Sequence, residues 1–292
     1  MSKSRLKAID PKSAEPKKPK IMVYGKSGVG KTWTSLDFPR CYYCDTEGGA
    51  NLEHYTDKLK KSGGVYFGPN EGSQDYATVI EQVKALATED HPYKTLVIDS
   101  ISKIFNLEIS SEAERLGDKD AFGASKKPAV SLTRRLISWI DRVDMNVILI
   151  CHEKPLWSNE KQIGVTFDAW DKLEYELDLC LNIVKLGDSR KAFVKKTRLL
   201  QFPDASNFDW SYNDFASKYG KDIIERDTKP IELATDEQIK EINNLLEIVK
   251  LPEGEIEKWF KRANVENFQD MNSDKIQKVI EHIKDKFQSK GE

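Results

Sequence analysis

The sequence predicts an α/β protein: an open, mostly parallel sheet covered by helices, followed by a small α-helical bundle. Three observations carry this. Short, non-alternating apolar runs rich in Val, Ile and Tyr recur at residues 21–24, 41–44, 95–98, 147–151 and 177–184, as strands buried on both faces require. Between them stand stretches of helical spacing: Tyr76, Val79, Ile80, Val83, Leu86 and Ala87, then Leu132, Leu136, Ile137, Ile140 and Val143. Strands alternating with helices imply a parallel sheet with crossover helices. After Pro230 the strand signal stops and amphipathic helical stretches take over.

The elements follow in order. Residues 1–19 carry six basic side chains, two acids and three prolines, and read as a flexible basic tail. The strand–helix region fills residues 20–228 and ends in a hairpin, 182–185 with 191–196 around Gly187-Asp188, and an aromatic-rich segment, 202–219. Residues 229–292 read as a three-helix domain. Thr235 with Gln238 forms a capping-box signature, and Ile239, Ile242, Leu245, Leu246 and Val249 make the first stripe. Pro252 opens a second helix carrying Ile256, Trp259 and Phe260, and Ser273 caps a third carrying Ile276, Val279, Ile280 and Ile283. Such stripes bury against one another as a small bundle.

Composition sets bounds. The 292 residues are 39% apolar and 32% charged, enough for cores in about two domains. The 46 basic and 48 acidic residues nearly cancel, so charge alone marks no nucleic-acid partner. No run of about 18 apolar residues is present to span a membrane. The first residues lack the apolar stretch of a secretory signal. Four cysteines without secretion point to a reducing cytoplasm. Cys41-x-x-Cys44 lacks the second pair that a zinc site needs.

The chemistry lies in Gly25-Lys26-Ser27-Gly28-Val29-Gly30-Lys31-Thr32, which fits G-x-x-x-x-G-K-[ST]. It follows a predicted strand and opens a helix, the setting that identifies a P-loop. Its glycines let backbone N–H groups wrap phosphates. Lys31 places a point charge on the β- and γ-phosphates, and the Thr32 hydroxyl ligates Mg²⁺. ATP and Mg²⁺ are therefore the expected cofactors. The run 94–99 ends in Asp99, the acid that supports the metal from another core strand. Ser100 follows it, where many P-loop ATPases place their activating Glu. Glu47, in the segment Asp45-Thr46-Glu47-Gly48-Gly49 after the second strand, is the alternative carboxylate to orient the attacking water.

That layout resembles the RecA-like ATPases, recombinases and the DnaB helicase core among them, whose activating Glu ends the strand after the P-loop helix. Two further features match: His152 at the end of strand 147–151, where that family places a sensor, and Lys196 with Arg198 after the hairpin, resembling cations inserted into a neighbour's ATP site. With GKSGVGKT, DTEGG, LVIDS, ILICHEK and KTR followed by Phe202-Pro203, residues 20–225 resemble the phage RecA-like single-strand annealing proteins of Sak type. The resemblance implies a RecA-like P-loop NTPase core and a Mg²⁺-dependent, DNA-stimulated ATPase. It implies single-stranded DNA binding with pairing or annealing in phage recombination, a homo-oligomer with shared ATP sites, and action in the cytoplasm of a bacterial host. The helical tail resembles partner-docking tails of other phage recombination proteins.

Two stretches correspond to the DNA-facing loops of such folds. Residues 117–128 offer Lys119, Phe122, Lys126 and Lys127; residues 153–172 offer Lys154, Trp157, Lys161, Phe167 and Trp170. Aromatics interleaved with lysines suit stacking plus phosphate attraction. A helicase or helicase-loader motor, or an ATP-switched adaptor, would use the same ATP site. The partition-type ATPases share a lysine at the position of Lys26, but Ser27 departs from their loop.

Overall fold

The computed structural model describes residues 10–288 except 14, 122 and 250. Nine strands lie among them: β1 (Lys20–Gly25), β2 (Cys41–Asp45), β3 (Val65–Phe67), β4 (Thr95–Asp99), β5 (Asn146–Ser158), β6 (Lys161–Phe167), β7 (Leu179–Leu186), β8 (Ser189–Thr197) and β9 (Asn207–Asp209). The helices are α1 (Lys31–Ser35), α2 (Glu53–Ser62), α3 (Tyr76–Thr88), α4 (Ile101–Leu116), α5 (Lys126–Ile140), α6 (Leu173–Glu176), α7 (Tyr212–Tyr219), α8 (Lys221–Glu225), α9 (Asp236–Ile248), α10 (Glu255–Ala263) and α11 (Ser273–Gln288). No helix is long and apolar enough to cross a membrane among the described residues.

The sheet runs β3-β2-β4-β5-β1-β7-β8-β9, with β6 paired to β5 off this path. From β3 to β7 every pairing is parallel; β8, β9 and β6 join antiparallel. The expected α/β P-loop core is thus present. Because β5 stands between β1 and β4, register sets one row of strand ends: Gly25 opposite His152, Ile150 opposite Asp99, Asp99 opposite Asp45. Ligands of open α/β sheets bind outside such carboxyl ends.

The chain divides into two compact units. One takes in the described residues through Gln74, with Pro92–Asn106 and Asp144–Thr228. β1 and β4 are buried along almost their whole length. Ile21, Val23, Val97, Ile148, Ile150, Leu179 and Leu181 pack in one cluster with Leu36, Phe38, Phe202, Phe215 and Ile224. At about 1.5–3 kcal/mol for each fully buried aliphatic side chain, this cluster is a main source of the unit's stability. The aromatic-rich segment belongs to it: the Phe202 and Phe215 rings are 5.0 Å apart, and Phe38 lies 5.4 Å from Phe215.

The other unit takes in Asp75–His91, Leu107–Val143 and the described residues from Lys229 onward. Residues 229–292, expected as a domain by themselves, share this unit with α3 and α5. Its C-terminal helices bury Ile242, Trp259, Met271, Ile276, Ile280 and Ile283. Thr235 and Gln238 form the expected capping box on α9. Lys84 of α3 pairs with buried Asp270 at 2.7 Å, and the Tyr76 and Thr133 hydroxyls share a hydrogen bond of 2.8 Å.

Two expectations need correction. Residues 16–19 are not a solvated tail. Lys18 is buried and its ammonium donates to the Arg226 carbonyl at 2.6 Å, while the Tyr219 hydroxyl donates to the Lys17 carbonyl. A basic side chain is buried here because backbone carbonyls satisfy it. Residues 153–172 are not an open loop either. Glu153–Ser158 pairs antiparallel with Lys161–Phe167 as a hairpin, and the lysines and acids along it concealed its strand character.

Candidate nucleotide-binding site

The P-loop spans the turn from β1 to α1. Gly25 has φ +153°, and a Cβ there would lie 2.4 Å from the Ile183 carbonyl oxygen, so a side chain is excluded. Gly30, the N-cap of α1, has φ +88°, and its Cβ would fall 2.2 Å from Arg190 Nε. Lys31 is buried, and its ammonium donates to the Gly25 carbonyl at 2.8 Å and the Lys26 carbonyl at 2.9 Å. Burial lowers its pKa, with Asp99 opposing. Thr32 Oγ1 donates to Asp99 Oδ2, which also takes a 3.4 Å contact from the Tyr43 hydroxyl. Burial pushes the Asp99 carboxyl up to about 6, against the Thr32 hydrogen bond.

Glu47 is placed by a residue that the sequence did not single out. The buried carboxylate of Asp45 accepts from the backbone N–H groups of Glu47 and Gly48 at 3.0 Å each and of Ala50 at 2.7 Å. It ties down the turn that carries Glu47. Thr46 locks this turn to the next strand: its N–H donates to the Asp99 carbonyl, and its hydroxyl accepts from Ser100 N–H at 2.8 Å. Glu47 Oε1 then receives the Ser100 hydroxyl at 2.7 Å and meets His152 Nε2 at 2.5 Å. The His152 hydrogen bond, with Ser100 adding to it and burial opposing, holds the Glu47 carboxyl down at about 2. The same bond raises the His152 imidazole.

Gly25, Gly30, Lys31, Thr32, Glu47, Asp99 and His152 line one cavity of about 680 Å³ together with Lys26, Ser27, Gly28, Trp33, Tyr55, Glu153 and Arg190. The volume lies within the range of small-molecule and cofactor sites. Trp33, Tyr55 and Arg190 have no counterpart in the sequence reading. Tyr55 of α2 stands 4.1 Å from His54, ring to ring, beside Trp33. Arg190 of β8 lies over Gly30, with its Nε buried and unbonded. Strand alternation was the available signal: Arg190 shares a face with buried Ala192 and Val194.

The cavity fits a nucleoside triphosphate with Mg²⁺. Thr32 and Asp99 converge as two hard oxygen donors, and Mg²⁺ in phosphoryl-transfer sites takes one or two protein ligands and completes its shell with phosphates and water. The remaining predicted residues lie elsewhere. The Lys196 and Arg198 side chains donate to the carbonyls of Leu177 and Tyr175 and do not line this cavity. Lys119 ends a short 3-10 turn, and Lys126 and Lys127 open α5; Phe122 lies outside the described residues. On the β5–β6 hairpin Trp157 is 61% exposed and Lys161 is exposed. Lys154 lies 3.7 Å from Asp168 and 3.5 Å from Asp171. Phe167 is buried edge-on against Tyr24, so it is a core residue and offers no stacking face. Trp170 follows the hairpin, half-buried.

A parallel sheet with its P-loop on β1, and with Thr32, Glu47 and Asp99 lining one cavity at its strand ends, defines a P-loop NTPase. Residues 17–207 match the AAA_24 family of AAA domains, and the chain belongs to that family. Among solved structures, the crystal structure of the RadB recombinase is similar, with TM-score 0.43 and 20% identity over 65% of this chain and 86% of that one. No curated protein matches the sequence.

Proposed function

We propose that this ATPase is a RecA-like phage protein that binds single-stranded DNA in an ATP-dependent manner and promotes pairing or annealing of complementary strands. The observation that carries this reading is the position of His152. It is hydrogen-bonded to Glu47 at the nucleotide cavity, and immediately beyond it β5 leaves the parallel sheet to form the hairpin with β6. That hairpin presents Leu156, Trp157 and Ile163 at 41%, 61% and 62% exposure, with Lys161 beside them. Exposed apolar and aromatic side chains next to a cation suit stacked bases and phosphates. One strand therefore joins the residue that touches the water-orienting carboxylate to the surface that would hold DNA.

In this reading Lys31 and the glycine-lined loop hold ATP. Mg²⁺ bound by Thr32 and Asp99 supplies charge neutralisation to the phosphates. Glu47 orients water, and His152 reports DNA occupancy to it. Lys196 and Arg198 serve a neighbouring subunit's site in a homo-oligomer. The test is ATP hydrolysis with and without an oligo(dT) strand, on wild type, Lys31→Ala and Trp157→Ala. The reading expects several-fold stimulation in wild type, no turnover in Lys31→Ala and lost stimulation in Trp157→Ala. Hydrolysis indifferent to DNA would overturn it. Annealing of labelled complementary strands, without unwinding of a duplex, separates pairing from a helicase motor.

A further inference from the structure

The second compact unit holds a cleft that the nucleotide site does not use. It has a volume of about 290 Å³ and is lined on one side by Ser131, Arg134, Arg135, Ser138 and Arg142, and on the other by Lys261 and the turn after α10. The helical period explains the first wall. Lys127, Ser131, Arg134/Arg135 and Ser138 recur at three- and four-residue steps, so they form one stripe of α5. The opposite stripe, Ala129, Thr133, Leu136, Ile137 and Ile140, is buried.

Arg142 is held in place. The Arg142 guanidinium stacks 4.1 Å from the Trp139 ring and donates to the Asp270 carbonyl at 2.7 Å and to Asn272 Oδ1 at 3.0 Å. The Ser138 hydroxyl donates to the Asn264 carbonyl at 2.7 Å, joining α5 to the turn after α10. Arg135 has only long contacts, 3.4 Å to Glu266 and 3.5 Å to Glu81, and its Nε is buried without a hydrogen bond. Of the two acids in the lining, Asp270 is already paired with Lys84. The sequence of this unit carries 19 basic and 24 acidic residues. Four cations gathered on one cleft therefore stand against an acidic background.

We propose that the Lys127–Ser138 stripe of α5, with Arg142 just beyond its end, and the cleft it borders bind the phosphate backbone of a nucleic-acid strand. This rests on the DNA-binding reading above and adds a second contact surface to it. The cations are strung along a helix and do not converge on a point. Lys127 and Arg134 are seven residues apart, about 10 Å of helix axis. A strand carries a phosphate about every 3.4 Å, so an extended polyanion meets successive cations where a lone anion would meet one. Trp139 is buried, which leaves phosphates, not bases, as the groups recognised, and the contact should ignore sequence.

The test is fluorescence anisotropy of a fluorescein-labelled oligo(dT) strand titrated with the full chain at several salt concentrations. The variants are Arg134→Gln/Lys261→Gln, both at exposed positions, and Ser131→Glu, which places a negative charge on the same stripe. Thermal melting checks that each folds. Loss of two phosphate contacts is expected to weaken binding about tenfold near 0.1 M salt and to flatten the log–log salt slope by about 1.4. Ser131→Glu is expected to weaken binding in the same direction. If wild type binds the strand and both folded variants keep its affinity and slope, the cleft assignment is overturned while the DNA reading stands. If wild type binds no strand at all, the DNA reading itself fails and takes this inference with it.

Discussion

His152 Nε2 lies 2.5 Å from Glu47 Oε1, although Glu47 follows β2 and His152 lies within β5, strands that β4 separates. The gap is closed by Ser100, the residue after Asp99, whose hydroxyl donates to Glu47 and stands 3.3 Å from His152. The ends of β2, β4 and β5 thus share one hydrogen-bonded group. Both contacts fall on Oε1, so one oxygen of the Glu47 carboxylate is held by protein partners. In the proposed reading Oε2, which neither His152 nor Ser100 holds, is the oxygen that orients the attacking water.

Replacing Glu47 by Gln tests its role without changing shape. The amide keeps a hydrogen-bonding oxygen for Ser100 but loses the charge that accepts a proton. ATP affinity is expected to hold near wild type while turnover falls by about 10²–10⁴, the usual size of a general-base contribution. A fluorescent ATP analogue and a phosphate-release assay read the two quantities. Unchanged turnover would assign water activation elsewhere.

The pair also has a pH signature with a definite sign. Glu47 is held down at about 2 from an ordinary 4.5, so its share of the stability is present above 4.5 and is lost as pH falls through about 2. His152 is raised above its ordinary 6.5, so its share is full below 6.5 and is lost as pH rises through the raised value. The ion pair is complete between about 4.5 and 6.5. Both side chains are nearly half exposed, so solvent screening keeps the gain below about 1 kcal/mol. NMR titration of the imidazole should show a midpoint above 6.5 in wild type that drops in Glu47→Gln. A midpoint unmoved by that substitution would mean that the contact does not form in solution.

How far the sequence revealed this site depends on whether each feature is local. The P-loop, Asp99 and Glu47 were legible because a short motif or a strand end places each of them. The strands β1, β2, β4 and β7 and the first half of β5 were legible because burial on both faces leaves continuous apolar runs. Helix α2 was not, since only Leu59 among its ten residues is buried and no stripe exists to detect. Tyr55 was hidden with it. The β5–β6 hairpin was not legible either, because its pairing partners are largely exposed and polar residues interrupt its apolar ones. Phe167 was misplaced because an aromatic beside lysines reads alike in a DNA-binding loop and at the root of a buried strand.

Asp45 should matter more than its absence from any motif implies. Its buried carboxylate takes three backbone N–H groups. Asp45→Ala leaves those donors without a protein partner; water can reach the exposed Glu47 and Gly48, but Ala50 is buried, and an unpaired buried group costs about 1–3 kcal/mol. A loss of about 1–3 kcal/mol in urea unfolding is expected, together with lowered turnover as the Glu47 turn loosens. Asp45→Asn keeps one accepting oxygen and should fall between the two. Wild-type stability in Asp45→Ala would show that water replaces the carboxylate without penalty.

Arg190 is the cation whose role depends on this chain alone. Lys196 and Arg198 point their charges at carbonyls away from the P-loop, whereas the Arg190 side chain lies against Gly30 inside the cavity wall. A guanidinium there adds charge beside the phosphates, and arginines so placed contribute about 10³–10⁵ in other phosphoryl-transfer sites. Arg190 also fills space over the loop, so Arg190→Ala confounds charge with packing. Arg190→Met keeps most of the volume and removes the charge. If the charge acts on phosphate, Arg190→Met should weaken nucleotide binding or slow turnover at least tenfold without lowering the melting temperature, and Arg190→Lys should restore part of the loss. Equal activity in all three variants would make the residue a packing element of the P-loop. The single-turnover rate at saturating ATP then decides between binding and chemistry: a rate equal to wild type places the effect in binding, and a slower one places it in the transfer step.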